Sequence, residues 1–171
     1  MVPGSIPPVD RSAVSHAPLD SPIGRLWVAV SARGLVSVTR GENPSPDTLA
    51  VNLDPDAVAP VLTELERYFA GELRTFSTPL DLRGAGAFDA AVWSAARQIP
   101  YGETVSYGEL AGMAGHPRAA RAAGNAMARC PFSPVVPCHR VIHADGSIGG
   151  WGADTWVKRW LLDLERGASI V

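Results

Sequence analysis

The stretch SYGELAGMAGHPRAARAAGNAMA, Ser106–Ala128, carries two short helical patterns on either side of a glycine. Ser106 is placed to cap a helix running through Met113, because its hydroxyl can accept from a first-turn N–H that has no partner inside the helix. After Gly115, residues Pro117 to Ala128 read as a second helix, with proline at its start and alanine through its body. Helix, short glycine-containing turn and helix make a helix-turn-helix pattern, although two ordinary core helices share it. Arg118 and Arg121 lie three apart and would share a face of the second helix. Alanines around them leave little bulk, so the backbone could approach a narrow groove of about 6 Å such as the DNA minor groove; helix propensity alone also accounts for alanine. Upstream, Phe88, Val92, Ala95, Ala96 and Ile99 form a helical apolar stripe that stops at Pro100, with Tyr101-Gly102 as a turn. Downstream, the apolar run Val135 to Ile142 is interrupted by Pro137, which predicts that the chain turns at Cys138 instead of continuing as a strand.

The amino-terminal half has a different pattern. Ile23 to Val30 and Leu35 to Arg40 are strand-like, and Gly34 can take the positive-φ position of the hairpin between them. Glu42 to Asp56 reads as a loop, and Val58, Val61, Leu62, Leu65, Tyr68 and Phe69 recur at helical spacing up to Gly71. The glycines of Leu80 to Gly86 mark a linker. The expected organisation is a tail over 1–18, a small sheet-plus-helix domain over 19–83 and a mostly helical domain over 84–171, an α+β chain.

Composition narrows the function classes. The 171 residues are 46% hydrophobic, enough for a packed core, and no apolar run approaches the roughly 18–20 residues of a membrane span. The first residues lack a basic start and an apolar stretch, so no signal peptide is read there. Two cysteines suit a reducing compartment, and a cytoplasmic location is the expectation. The net charge of −2 gives no polyanion footprint, yet Leu110 to Ala144 contains no acid while Arg118, Arg121, Arg129 and Arg140 are basic. Such a local surface can bind phosphate because screening limits distant charges to about 10 Å.

Cysteine attacks as thiolate, and a thiol pKa near about 8.5 leaves little of it at neutral pH without help. His139 supplies a base, directly or through one water. A carboxylate should orient that imidazole and favour its protonated form, and Glu165, in a helix over Thr155 to Arg166, is the candidate. A Cys-His pair is by itself unspecific. Cys130, Cys138, His139 and His143 could serve as zinc ligands, but seven residues separate the thiols and adjacent Cys138 and His139 are awkward tetrahedral partners, so no metal and no cofactor are expected. A thiol protease would need a peptide groove and leaves Arg121 without a role.

The motifs PYGETVSYGELA (100–111), RAARAAG (118–124), PCHRVI (137–142) and KRWLLDLE (158–165) together resemble the carboxy-terminal domain of the methylated-DNA–protein-cysteine methyltransferases, the O6-alkylguanine-DNA alkyltransferases. Weaker similarity runs through SPIG (21–24) and YFAGEL (68–73). The resemblance implies a ribonuclease-H-like amino-terminal domain, a winged-helix-like carboxy-terminal domain, and suicide DNA repair in which O6-alkylguanine is flipped out of the duplex and its alkyl group passes irreversibly to Cys138. It implies that Cys138, His139 and Glu165 are catalytic and that Tyr107, Arg118, Ala120, Arg121, Gly124, Met127 and Arg140 contact DNA, with Arg121 filling the vacated stack. Val141, Trp151, Gly152, Ala153 and Lys158 would shape the pocket, with the Val141 carbonyl accepting from the guanine amino group. The implied partner is alkylated duplex DNA approached from the minor groove by a protein monomeric in solution and able to assemble cooperatively on DNA. A catalytically inactive lesion-binding module is the alternative. Departures from the family pattern are Cys130, where asparagine is usual, and GGWGAD (149–154) in the pocket loop; residues 1–83 offer only His16 toward the metal site of some relatives.

Overall fold

The computed structural model describes residues 14–41, 54–151 and 154–167. Three strands, β1 (Ser15–Ser21), β2 (Gly24–Ser31) and β3 (Gly34–Arg40), form an antiparallel meander in the order β1-β2-β3. β1 corrects the expected boundary, because residues 15–18 lie inside the sheet and not in a tail; residues 1–13 fall outside the described part. Its signal was weak for a physical reason. Ala17 and Leu19 point inward while Pro18 and Asp20 are exposed, so only two apolar residues mark it, and the proline is tolerated because β1 is an edge strand. The β2–β3 hairpin matches the sequence expectation within a residue. Gly34, at φ +141°, is required there: a Cβ would meet the Pro79 carbonyl oxygen at 2.3 Å.

That close approach lets the chain dock on the sheet. The Leu35 N–H donates to Pro79 O and the Asp81 N–H donates to Leu35 O, both at 2.8 Å, so the start of the expected linker covers the exposed edge of β3. Helix α1 (Pro55–Phe69) packs across the sheet through Val58, Val61, Leu65 and Tyr68. Asp54 caps it by accepting from the Ala57 N–H at 3.1 Å, with Pro55 in the first turn, where a missing N–H costs nothing. Leu65 is fully buried, and truncating such a residue costs about 2–5 kcal/mol. Most of the expected loop before α1, residues 42–53, lies outside the described residues.

The carboxy-terminal part contains α2 (Ala87–Ala96), α3 (Tyr107–Met113), α4 (Ala120–Ala128) and α5 (Thr155–Glu165). Ser106 caps α3 in a reciprocal box with Glu109: its hydroxyl accepts from the Glu109 N–H at 3.2 Å, and the Glu109 carboxylate accepts from the Ser106 N–H at 2.6 Å. α4 begins three residues later than expected, because the Ala119 N–H donates to His116 O at 2.9 Å and closes a turn around Pro117 and Arg118. Arg118 therefore precedes the helix and does not share a helical face with Arg121. Two short strands, β4 (Val105–Ser106) and β5 (Val141–Ile142), pair in parallel, which sets the start of α3 beside the segment that follows Cys138. The core runs continuously from the sheet through α1 to α2, α4 and α5.

Candidate active site

Pro137 does end the apolar run. Cys138 to Arg140 form one turn of 3-10 helix before β5, so three consecutive side chains are distributed around a turn instead of alternating across a sheet. All three are buried. Behind them lies Glu165, the last residue of α5. Its Oε1 accepts from His139 Nε2 at 2.7 Å, from the Tyr68 hydroxyl at 2.6 Å and from an Arg140 terminal nitrogen at 2.8 Å. Its Oε2 accepts from Arg140 Nε at 2.8 Å and from the Gly102 N–H at 3.1 Å. A carboxylate with five donors is held rigidly.

The protonation states follow from this arrangement. Burial opposes ionisation of Glu165, but the hydrogen bonds from His139, Arg140 and Tyr68 outweigh it and hold the carboxyl well below the usual range. Burial lowers the His139 pKa, aided by the cations of Arg140 and Lys158 and only partly opposed by Glu165. The imidazole is therefore neutral at rest, whereas the sequence reading had Glu165 favouring its protonated form; desolvation is the larger effect. A neutral ring that donates through Nε2 to Glu165 has a bare lone pair on Nδ1, and that atom is buried with no partner among the described residues. The Cys138 thiol is pushed up by the side chain of Cys130, its hydrogen-bonding neighbour, and by burial, while its own backbone N–H and Lys158 act the other way. The resting site therefore holds a neutral thiol next to a neutral base.

Lys158 is buried and donates through Nζ to Val141 O at 2.7 Å, lying 5.9 Å from the centre of the Tyr107 ring. Burial lowers its pKa, and the Cys138 charge opposes that shift. The Val141 carbonyl thus already serves Lys158 and keeps one lone pair for another donor. Tyr107 opens α3 and is half-buried, raised in pKa by burial and by Cys138. Its ring stands over α4 at Gly124, where a Cβ would touch it at 3.6 Å. Arg118, Ala120 and Arg121 are exposed on the same helix-turn-helix.

Two of the expected DNA contacts are corrected. Arg140 is buried, and its guanidinium is taken up by Glu165 and by the Ile99 carbonyl at 2.6 Å, so it fastens α5 to the 138–140 turn and is not an exposed DNA contact. Met127 is buried on the inner side of α4. Trp151 is half-buried and lines a cleft with Ile23 of the β1–β2 turn and Leu26 and Val38 of the sheet, while Gly152 and Ala153 lie outside the described residues. Among the described residues no group of three or more His, Cys, Asp or Glu could hold a metal ion, so Cys130, Cys138, His139 and His143 are not brought together as ligands. Sequence reasoning missed Tyr68 and Gly102 as supports of Glu165. Tyr68 was read as one apolar position of a helix, and only its place in YFAGEL hinted at more. No helix among the described residues is long and apolar enough to cross a membrane.

Comparison with known proteins agrees with this geometry. The model of the 6-O-methylguanine DNA methyltransferase ribonuclease-like domain matches residues 14–82, and that of the DNA binding domain of the same proteins matches residues 87–167. A methylated-DNA–protein-cysteine methyltransferase from Mycobacterium bovis is 44% identical over 154 residues, covering 90% of this chain and 93% of the relative. Its counterpart from Methanosarcina acetivorans is 40% identical, covering 88% and 97%. The crystal structure of the Mycobacterium tuberculosis protein in complex with DNA superposes with a TM-score of 0.79 at 44% identity, covering 90% of this chain and 93% of that one. With both domains matched and the cysteine, histidine and glutamate brought together, the chain belongs to the methylated-DNA–protein-cysteine methyltransferases, repair proteins that take alkyl groups from DNA.

Proposed function

We propose that Cys138 accepts the alkyl group from the O6 position of a guanine flipped out of duplex DNA and is consumed in the reaction. The observation that carries this reading is the buried Nδ1 of His139, without a partner among the described residues, whose other ring nitrogen is tied to Glu165. The Cys138 proton passes to Nδ1, directly or through one water, and Glu165 stabilises the imidazolium that forms. The thiolate attacks the alkyl carbon; the S–C bond forms, the C–O6 bond breaks, and the electron pair stays on the guanine, which takes up a proton on leaving. Tyr107, beside Cys138, is suited to donate to the guanine ring, and the free lone pair of Val141 O to accept from its amino group.

Extrusion is needed because an O6 substituent inside the stack is out of reach of a protein thiol. Arg121, exposed in the first turn of α4, is placed to occupy the gap. No side chain caps this helix, so its leading N–H groups remain for a phosphate, and the small residues Ala120 and Gly124 suit close approach to the minor groove. The chain acts as a monomer in solution that can assemble along DNA, in the cytoplasm.

Incubation with duplex DNA carrying O6-methylguanine, followed by intact and peptide mass measurement, tests the reading. One methyl on the peptide containing Cys138, at no more than one per molecule, is expected, and C138A should lose transfer while retaining DNA binding. Methyl on another residue, or repeated turnover, would refute it.

A further inference from the structure

A cleft of about 290 Å³ lies beside the catalytic turn, lined by Arg74, Arg97, Gln98, Tyr101, Pro137 and Arg140 among others, with no aspartate or glutamate in its wall. Three arginines therefore line a space without a carboxylate in its wall. The Arg140 charge is met by Glu165, whereas among the described residues neither Arg74 nor Arg97 forms an ion pair with a carboxylate. Arg97 is half-buried, and among the described residues the one acceptor on its guanidinium is the Phe76 carbonyl, at 3.0 Å. Burial lowers its pKa, and Glu64 only partly offsets that. The oxygens of Glu64 are already engaged by the backbone and hydroxyl groups of Ser77 and Thr78. Arg74 lies over the Tyr101 ring, 5.5 Å from its centre, and Arg140 also lies against that ring, at 5.7 Å.

Withdrawing a guanidinium from water without an anion in ion-pair contact is unfavourable, and here the withdrawn group shares its cleft with a second arginine. Each guanidinium presents several N–H donors in a plane that matches the oxygens of phosphate. We infer that this cleft is a binding site for a phosphate-type oxyanion, held by Arg97 and Arg74 with Arg140 adding positive potential from below. The site is separate from the helix-turn-helix, and it joins the segment after α1 to the segment after α2, so an occupant would tie the two domains together next to Pro137 and Arg140. Free phosphate and the phosphodiester of a DNA segment offer the same chemistry.

Titration of the full-length protein with inorganic phosphate, against sodium chloride at equal ionic strength, reads the site by calorimetry and thermal unfolding. Saturable heat and a rise in Tm specific to phosphate are expected. R74A and R97Q should each weaken binding about tenfold, the loss expected for one charge-assisted contact. R74A changes an exposed residue and so keeps the test valid if R97Q folds poorly. Duplex DNA affinity then separates the sources: a fall in both variants, with competition by inorganic phosphate, assigns the cleft to backbone phosphate, and unchanged affinity assigns it to the free anion. No phosphate-specific response in the wild type, or equal binding by wild type and both variants, overturns the inference.

Discussion

Replacing Glu165 with glutamine keeps the shape of the side chain and removes its charge, which the structure uses twice. First, the carboxylate neutralises Arg140, whose Nε and terminal nitrogen both donate to it at 2.8 Å in the interior. Breaking a buried pair by removing one partner costs about 3–5 kcal/mol. For a chain of 171 residues, at about 2–4 °C per kcal/mol, this is a Tm lower by roughly 6–20 °C. Second, the charge stabilises His139 once it has taken the thiol proton, and loss of such an orienting group slows related chemistry by about 10²–10⁴-fold. The assay is single-turnover methyl transfer from an O6-methylguanine duplex at a temperature where both proteins are folded, paired with thermal unfolding across pH. The folded pKa of Glu165 is depressed. Its contribution is therefore fully present above the unfolded glutamate value of about 4.3 and is lost as pH falls further. The stability gap between wild type and E165Q should accordingly narrow below about pH 4. A variant with wild-type rate and less than about 1 kcal/mol of destabilisation would refute the arrangement, since even one ordinary buried hydrogen bond is worth that much.

Three further outcomes are expected. Y68F removes a buried hydroxyl that donates to Glu165 at 2.6 Å, and should cost about 1 kcal/mol in denaturant unfolding together with a slower transfer; an unchanged rate would detach α1 from the catalytic site. Cys130 is the first cause of the raised Cys138 pKa, so C130A should move the rising limb of the transfer rate toward lower pH, and an unmoved profile would show that Cys130 does not act on the nucleophile. R121A should slow transfer from duplex DNA about tenfold or more, the scale of one lost charge-assisted contact, while leaving the rate with free O6-benzylguanine unchanged; equal effects on both substrates would exclude a role in holding the flipped nucleotide.

Much of the site was legible because its parts are local. Pro137 beside Cys138-His139 marks a turn by the geometry of proline alone, Ser106 stands at a readable cap position, and the alanine-rich α4 shows its small surface in the sequence. Glu165 was reachable through the KRWLLDLE motif, not through any local pattern. Arg140 was misassigned for the converse reason: an arginine within an acid-free, basic segment looks like a phosphate contact until its partner, distant in sequence, is seen.

The sequence by itself determined which thiol is the candidate nucleophile, which ring stands next to it, and the two-part α+β organisation with a helix-turn-helix, since covalent adjacency and hydrophobic period need no knowledge of distant contacts. Only the tertiary structure decided that His139 rests neutral, that Arg140 locks Glu165 in place, and that Tyr68 of the first domain completes the site of the second. Each of these depends on desolvation or on pairs separated by 25 to 97 positions, and the energy of a buried charge is set by what folding brings around it, which no local stretch of chain encodes.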